Sequence, residues 1–206
     1  MSSKLFDKSE AKLFRFTSTT ALIAINLAVY AFTSMVGGNF LYTDRNILLI
    51  LGQYNDFVMS GGWWQLFTAM FVHVDLSHFL GNMLFLLIFG IRGEELFSDE
   101  EFFSIYFVGG LAGNLLTLLM GPSTVSAGAS GAIFAMFGAC VIYLRRTLGQ
   151  SIMGALIYSF YLFILSAGAR VNVFAHFGGL AAGLAIGYTL AKSRKSAKSS
   201  LSWSSP

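Results

Sequence analysis

Six apolar runs, each close to the length of a membrane-spanning helix, limit what this chain can fold into. A helix needs about 20 predominantly apolar residues to cross the hydrocarbon of a bilayer, with a range of about 17 to 25. The runs predict transmembrane helices near residues 17–36, 76–91, 102–120, 128–144, 152–168 and 173–191. The sequence therefore predicts an all-α, polytopic membrane protein built as a six-helix transmembrane bundle.

The composition agrees with a surface that faces lipid. Hydrophobic residues make up 55% of the 206 residues and charged residues 11%, and the mean hydropathy is +0.68. Such a chain has too few charges to cover a soluble domain. The single cysteine, Cys140, excludes an intrachain disulfide and a cysteine-based metal cluster. The basic residues lie at the edges of apolar runs without interleaved aromatic residues, which argues against nucleic acid as a partner.

The helices are expected to form a single domain over residues 1–192, followed by a Ser/Lys-rich tail over 193–206 that is predicted to be disordered. The stretch 38–72 contains Trp63 and Trp64. Because tryptophan prefers the headgroup boundary, this stretch is predicted to be a partly embedded outer loop between the first two helices. No small-residue cleavage site follows the first apolar run, so we expect that run to be retained and not removed as a signal peptide.

Lys and Arg residues are distributed unevenly between the two sides of the predicted bundle. With both termini on one side, that side carries eleven of the 13 Lys and Arg residues, and the other side carries Arg45 and Arg170. Because cytoplasmic connections are enriched in Lys and Arg, both termini are predicted to be cytoplasmic, in the cell membrane. Arg145 and Arg146 close the fourth helix, so the opposite end of that helix is predicted to face outward.

A glycine-flanked serine, Ser130 in Gly128-Ala129-Ser130-Gly131, begins that outer end. The fifteen residues from Ser130 to Leu144 make roughly 22 Å of helix, which is less than the roughly 30 Å of hydrocarbon. Ser130 is therefore expected below the membrane surface, inside protein. Polar groups at such a depth are costly and count as candidates for a functional site.

The three histidines of the chain, His73, His78 and His176, are predicted to reach the same level as Ser130. Asn82 follows His78 by four residues and shares its helical face. A serine with a histidine and nearby hydrogen-bond donors can supply a nucleophile, a general base and an oxyanion site, the three requirements of acyl transfer.

Two further features favour this chemistry. Ser130 begins a helix, where its backbone N–H is among the unsatisfied donors of the first turn and the helix dipole favours negative charge. Gly179 and Gly183 have the spacing that lets membrane helices touch, so they are expected to draw the sixth helix onto the fourth and bring His176 to the serine. No acidic residue is expected at membrane depth, which predicts a Ser-His dyad and not a triad.

At this point the sequence resembles the rhomboid family of intramembrane serine proteases. The resemblance is carried by Gly128-Ala129-Ser130-Gly131, His73-x4-His78-x3-Asn82 and His176-x2-Gly179-x3-Gly183, in register along nearly the whole chain. It implies a serine endopeptidase, without a cofactor or a metal, that hydrolyses peptide bonds in or near transmembrane segments. It also implies a role for each matching residue: Ser130 as nucleophile, His176 as general base, His78, Asn82 and the Ser130 N–H as oxyanion donors, and His73 as a structural residue, with Gly128, Gly131, Gly179 and Gly183 shaping the site.

The chain departs from the family pattern at two positions and leaves a third feature open. Gln65 follows Trp64 where many members have arginine, so an arginine-mediated anchor of the outer loop is missing. Phe134 takes the place of a tyrosine against the catalytic histidine; a phenyl ring can stack on His176 but cannot donate a hydrogen bond. Gly90 and Glu94 resemble a family pair that is either a structural brace or a solvated helix end.

The expected partners are the lipid bilayer and transmembrane protein substrates with helix-weak segments, because a peptide carbonyl inside a membrane helix is already hydrogen-bonded. The small residues Gly128, Ala129, Gly131 and Ala132 predict a pocket for a small side chain before the scissile bond.

Three alternatives stay open from the sequence. The first is an inactive rhomboid-like protein that binds transmembrane segments, and the second is a transporter, although its polar groups would be spread along a pore. The third is a metal-dependent membrane hydrolase that uses the three histidines, which are ligands that zinc favours. Against it, His73 and His78 are five residues apart and no HExxH motif is present.

Overall fold

The computed structural model describes residues 17–148 and 171–202, with Gly154, Tyr158 and Tyr161 as single helical residues between them. The described elements, in chain order, are α1 (Ser18–Gly37), α2 (Arg45–Leu51), β1 (Gln53–Tyr54), α3 (Asn55–Met59), α4 (Gln65–Thr68), α5 (Leu76–Leu96), α6 (Asp99–Thr117) with a 3-10 turn (Leu118–Met120), β2 (Val125–Ser126), α7 (Ser130–Leu148) and α8 (Val173–Ser202).

The long helices occupy predicted positions. Four described helices are long and apolar enough to cross a membrane, namely Ser18–Gly37, Leu76–Leu96, Asp99–Met120 and Val173–Arg194. Helix α7 corresponds to the fourth predicted span, beginning two residues later, but is not among these four, and the predicted helix over 152–168 lies, except for Gly154, Tyr158 and Tyr161, outside the described residues. The fold is mostly helical and polytopic, as predicted, with one antiparallel ladder of two residues per strand that the sequence did not predict. The count of six helices stays a prediction.

Helix α8 continues to Ser202, beyond residue 193, where the sequence predicts the start of a disordered tail. The segment after Gly187 contains no glycine or proline before Pro206 and includes Lys, Arg, Ala and Leu, which are good helix formers. The predicted boundary at residue 192 therefore does not coincide with the end of the helix.

A brace joins the start of α1 to the end of α5. The backbone N–H of Thr19 donates to Glu94 Oε1 at 2.6 Å, which satisfies one of the free N–H groups in the first turn of α1. The Thr19 side chain packs so closely on Gly90 that a Cβ there would lie 2.5 Å from Thr19 Oγ1. Of the two interpretations left open for Gly90 and Glu94, the structure matches the brace.

Helix α8 lies directly on α7 through glycines. A Cβ at Gly179 would lie 2.0 Å from the carbonyl oxygen of Gly131, and a Cβ at Gly183 would lie 2.0 Å from that of Ala135. The two backbones are thus in contact, as small residues at this spacing permit. This contact brings the beginnings of the two helices side by side.

The outer loop between α1 and α5 is held from inside by an amide side chain. Gln65 is fully buried; its Oε1 accepts from the N–H of Tyr54 at 2.8 Å, and its Nε2 donates to the carbonyl of Leu49 at 2.6 Å. The neighbouring Trp63 and Trp64 are exposed. The sequence predicted a missing arginine anchor, and the structure shows that an amide anchors the loop at the same position.

Candidate active site

Ser130 and His176 lie side by side at the beginnings of α7 and α8. Ser130 is the first residue of α7 and His176 lies in the first turn of α8. The Ser130 Oγ and His176 Nε2 atoms are 2.7 Å apart, within hydrogen-bond distance. His176 is buried. The structure therefore brings the predicted nucleophile and the predicted base together, 46 residues apart in the chain.

Phe134 covers one face of the His176 ring. The two ring centroids are 4.4 Å apart with an interplanar angle of 21°, a stacked arrangement. Phe134 lies one turn after Ser130 on the same face of α7, since residues four apart are neighbours on a helix. The side chain that departs from the family pattern therefore still limits the tilt of the imidazole.

His78 and Asn82 lie on the first turns of α5, across the cavity from Ser130. Asp75 caps this helix, its Oδ1 accepting from the His78 N–H at 2.8 Å. Asn82 Nδ2 donates to the carbonyl of His78 at 2.8 Å. An amide nitrogen carries two protons, so a second proton of Asn82 is available to a bound molecule.

Gly128 is required by both conformation and space. Its φ is +132°, a region open mainly to glycine. A Cβ at this position would lie 2.7 Å from His78 Cε1. The Gly128 N–H donates to the carbonyl of Ala69 at 2.8 Å, which ties the segment before Ser130 to the end of the outer loop.

His73 lies beside the site and not in the cavity. The ring is fully buried, with Nδ1 3.2 Å from the carbonyl oxygen of Phe71 and its centroid 5.4 Å from that of His78. Burial lowers the pKa of His73 to about 3, so the ring is neutral near pH 7 and its Nδ1–H can donate to Phe71. This placement is compatible with the structural role that the resemblance implies.

A cavity of about 1120 Å³ adjoins the Ser130–His176 pair. Its walls follow helical spacing: residues three, four and seven positions after Ser130 line it from α7, and residues three and seven positions after Asn82 line it from α5. These apolar wall residues are Ile133, Phe134, Phe137, Phe85 and Phe89.

The cavity does not have the lining predicted for a small-residue pocket, and the preference for a small side chain before the scissile bond stays a prediction. Of the four small residues proposed, only Gly128 is among the described residues that line the cavity. Ala129 and Ala132 are buried in the helix packing, and Gly131 faces Ala175 of α8. Each helical residue is rotated by about 100° from the one before, so the neighbours of Ser130 in sequence point toward other helices.

The described residues around Ser130 and His176 offer neither a free carboxylate nor a cluster of metal ligands. Among the described residues lining the cavity, Asp75 is the one carboxylate, and it is engaged with the Ser77 hydroxyl and the His78 N–H. In residues 17–148 and 171–202, no group of three His, Cys, Asp or Glu side chains is placed to hold a metal ion. The three-histidine metal site therefore gains no support from the geometry.

One polar residue of the cavity wall, Asn172, was not predicted. Its Oδ1 accepts from the Ala175 N–H at 2.9 Å, which makes it the N-cap of α8. An asparagine directly before an apolar helix is a known helix-start signal, so sequence reasoning could have found the cap, although not its tertiary partners.

Comparison with known proteins gives a consistent result. The family model described as Rhomboid domain matches residues 60–193. RHOMBOID-like protein 6, mitochondrial, of Arabidopsis thaliana is 32% identical over 82% of this chain and 57% of its own length. Rhomboid protease GluP of Bacillus subtilis is 30% identical over 85% of this chain and 36% of its own, and Rhomboid-like protease 3 of Toxoplasma gondii is 29% identical over 78% and 64%.

The chain thus spans 36% to 64% of the lengths of these three relatives. The family model covers the segment that contains α5, α6, α7 and most of α8, together with the Ser130–His176 pair. With more than half of its residues matched by that model, this chain belongs to the rhomboid family and is an integral membrane protein.

Proposed function

We propose that this protein is an intramembrane serine endopeptidase that hydrolyses peptide bonds in or near transmembrane segments of other membrane proteins. The observation that carries the proposal is the 2.7 Å contact between Ser130 Oγ and His176 Nε2 at the wall of a cavity. A serine hydroxyl is a weak nucleophile until an adjacent base removes its proton. Membership in a family that includes proteases supports the assignment.

In the proposed first step, His176 Nε2 takes the proton of the Ser130 hydroxyl while Ser130 Oγ attacks the scissile carbonyl carbon. The C–N bond then breaks, and the proton passes from His176 to the leaving amine, which leaves an acyl group on Ser130 Oγ. A water molecule, deprotonated by His176, hydrolyses this ester and restores the pair. Asp75, the carboxylate among the described residues of the cavity wall, is engaged by Ser77 and the His78 N–H, so the proposed machinery is a dyad.

Three hydrogen-bond donors are proposed to stabilise the negative charge that develops on the carbonyl oxygen of the substrate. They are the backbone N–H of Ser130 at the start of α7, the His78 ring, and the second amide proton of Asn82. The first bond of Asn82, to the carbonyl of His78, holds its amide in a fixed direction. Donors that are fixed before the reaction stabilise the transition state most, because they need no reorganisation during it.

The proposed substrates are membrane proteins whose target segment unwinds easily. A peptide carbonyl inside a membrane helix is hydrogen-bonded within that helix, and the attack requires it to be released. Glycine costs about 1 kcal/mol and proline about 3 kcal/mol in a helix interior. Segments interrupted by these residues at the depth of Ser130 should therefore be cut faster than uninterrupted ones.

The test is cleavage of a single-span model protein by the purified protein in detergent. The outer third of the span is either polyleucine or interrupted by Gly and Pro, and each version is incubated with wild type and with Ser130→Ala. We expect cleavage by the wild type, faster for the interrupted span, and labelling of Ser130 by a fluorophosphonate. Cleavage that persists in Ser130→Ala would refute the serine mechanism, and equal rates for both spans would refute the unwinding step.

A wild type that binds the span but neither cleaves it nor reacts with the fluorophosphonate would instead identify an inactive rhomboid-like protein. Chelator added to the same reaction separates the third possibility, since loss of cleavage with EDTA would indicate a metal-dependent enzyme.

A further inference from the structure

Asn172 connects three parts of the molecule immediately before the helix that carries His176. Its side-chain Oδ1 accepts from the N–H of Ala175 at 2.9 Å. Its Nδ2 donates to two hydroxyl oxygens, those of Thr117 and Ser126, each at 2.8 Å. Both protons of the amide nitrogen and one acceptor site of its oxygen are therefore in use.

We propose that Asn172 is a positioning residue for the reaction: it holds the imidazole of His176 in register with Ser130 by joining the start of α8 to the segment that leads into α7. This inference rests on the proposed function. Asn172 does not touch the reacting atoms through any described bond, so its effect on catalysis acts through His176.

The cap fixes the point at which α8 begins. The Asn172 carbonyl accepts from the His176 N–H at 3.2 Å. The backbone N–H of His176 therefore makes the first hydrogen bond of the helix that Asn172 caps. The first turn of a helix has free N–H groups and frays without a cap. His176 is the fourth residue of α8, so fraying of this first turn would take it out of helical geometry and its side chain would no longer be held toward Ser130.

The two hydroxyl partners supply the second half of the connection. Thr117 is the last residue of α6 and is fully buried; its own hydroxyl donates to the carbonyl of Gly113 at 2.9 Å, which leaves its oxygen to accept from Asn172. Ser126 lies in β2, four residues before Ser130. The amide of Asn172 therefore connects α8, which carries His176, to the segment that precedes Ser130.

Strand pairing extends this connection to the outer loop. In the β1–β2 ladder, Ser126 pairs with Gln53, and Gln53 Nε2 donates to the carbonyl of Asn114 on α6 at 2.9 Å. Strand β2, to which Asn172 is bonded, is thus also held by β1, and β1 is held by α6. The glycine contacts of α8 fix its distance from α7, whereas Asn172 holds its first turn in helical geometry.

The variants separate the two halves of this role. Asn172→Ala removes both, Asn172→Asp keeps the cap oxygen but loses the two donated bonds, and Ser126→Ala removes one donated bond while the cap stays. The matched control is Ser98→Ala, which removes the N-cap of α6, where Ser98 Oγ accepts from the Glu101 N–H at 3.3 Å. This cap belongs to the opposite end of the bundle from Ser130.

For each variant, kcat and KM on the Gly/Pro-interrupted span, the rate of fluorophosphonate labelling and the Tm in detergent are measured. Asn172→Ala should lower kcat about 10- to 100-fold with little change in KM, since a misplacement of about 1 Å can cost about 10²-fold. Asn172→Asp should recover part of the rate. Ser126→Ala should lower kcat by a smaller factor than Asn172→Ala. In the double variant Asn172→Ala/Ser126→Ala, the two reductions in kcat should not multiply, because the two residues share one hydrogen bond.

Ser98→Ala should lower the Tm and leave kcat at the wild-type value. Wild-type kcat in Asn172→Ala, or a kcat loss no larger than that of Ser98→Ala at an equal loss of Tm, would overturn the inference. If Asn172→Ala does not fold, Ser126→Ala decides, and wild-type kcat there overturns it. A wild type that neither cleaves nor reacts with the fluorophosphonate would overturn the proposed function itself, and this inference with it.

Discussion

The contact between Gly179 and Gly131 should control the distance between the proposed base and nucleophile. In Gly179→Ala, the new Cβ would lie 2.0 Å from the Gly131 carbonyl oxygen, whereas an ordinary contact begins at 3.4 Å. The Gly131 oxygen is a backbone atom and the position of the new Cβ is fixed by its own backbone, so a rotamer change cannot relieve the overlap. The helices must therefore separate by about 1 Å or more, because close-packed interiors transmit such strain.

A separation of that size would break the hydrogen bond of the dyad. Ser130 Oγ and His176 Nε2 are 2.7 Å apart, and an added 1 Å or so takes them beyond hydrogen-bond distance. His176 lies less than one turn before Gly179 on α8, so little of the displacement can be absorbed between them. We expect kcat to fall about 10²-fold, with a smaller change in KM.

Gly187→Ala is the matched control on the same helix. Its Cβ would lie 2.5 Å from the Ala139 carbonyl oxygen, but it lies about 16 Å along the helix from His176. Both variants should lower the Tm, and only Gly179→Ala should lower kcat and slow fluorophosphonate labelling of Ser130. The reasoning fails if Gly179→Ala cleaves at the wild-type rate, or if Gly187→Ala loses as much kcat for the same loss of Tm.

Three further predictions follow from the site, the outer loop and the charge distribution. Asn82→Ala should lower kcat about 10²- to 10³-fold, as expected for one oxyanion donor, with the Tm nearly unchanged; wild-type turnover would place the oxyanion elsewhere. Gln65→Leu should cost about 0.5–1.5 kcal/mol for each hydrogen bond lost to its part-buried backbone partners, seen as a lower Tm, whereas an unchanged Tm would mean that the loop does not depend on this amide. We propose that both termini are cytoplasmic: protease added outside intact cells should cut a tag inserted at the exposed Gly61 and spare tags at either end, and cutting of an end tag would invert the orientation.

The positions of the long helices could be predicted because membrane-spanning segments are distinguished by length and hydropathy. The apolar runs near 17–36 and 76–91 correspond to α1 and α5, and charged or polar caps define where these helices start. The proximity of Ser130 and His176 also followed from local information, since Gly179 and Gly183 mark the face of α8 that meets α7.

The polar connections of the loops could not be predicted, since they have no periodicity. Nothing in the local sequence pairs Gln53 with Ser126 or directs the Gln65 amide into the loop that it anchors. The lining of the cavity is a different case, because Ile133, Phe134 and Phe137 follow Ser130 at helical spacing. The prediction of a small pocket used neighbours in sequence where helical geometry required neighbours on one face.

The proposed base, His176, is expected at membrane depth, where neutral groups are better suited than a carboxylate to orient its ring. In soluble serine hydrolases a buried carboxylate fixes the direction of the histidine ring, but a carboxylate at membrane depth is costly unless it is paired. Among the described residues around His176, uncharged features contribute to the position of the ring. The Gly179 contact sets the distance to α7, the Phe134 ring limits the tilt, and the Asn172 cap holds the first turn of α8. Each acts through packing or through hydrogen bonds between neutral groups, which cost less to bury than an ion. A substitution that weakens one of these features should therefore reduce catalysis without changing the charge of the site.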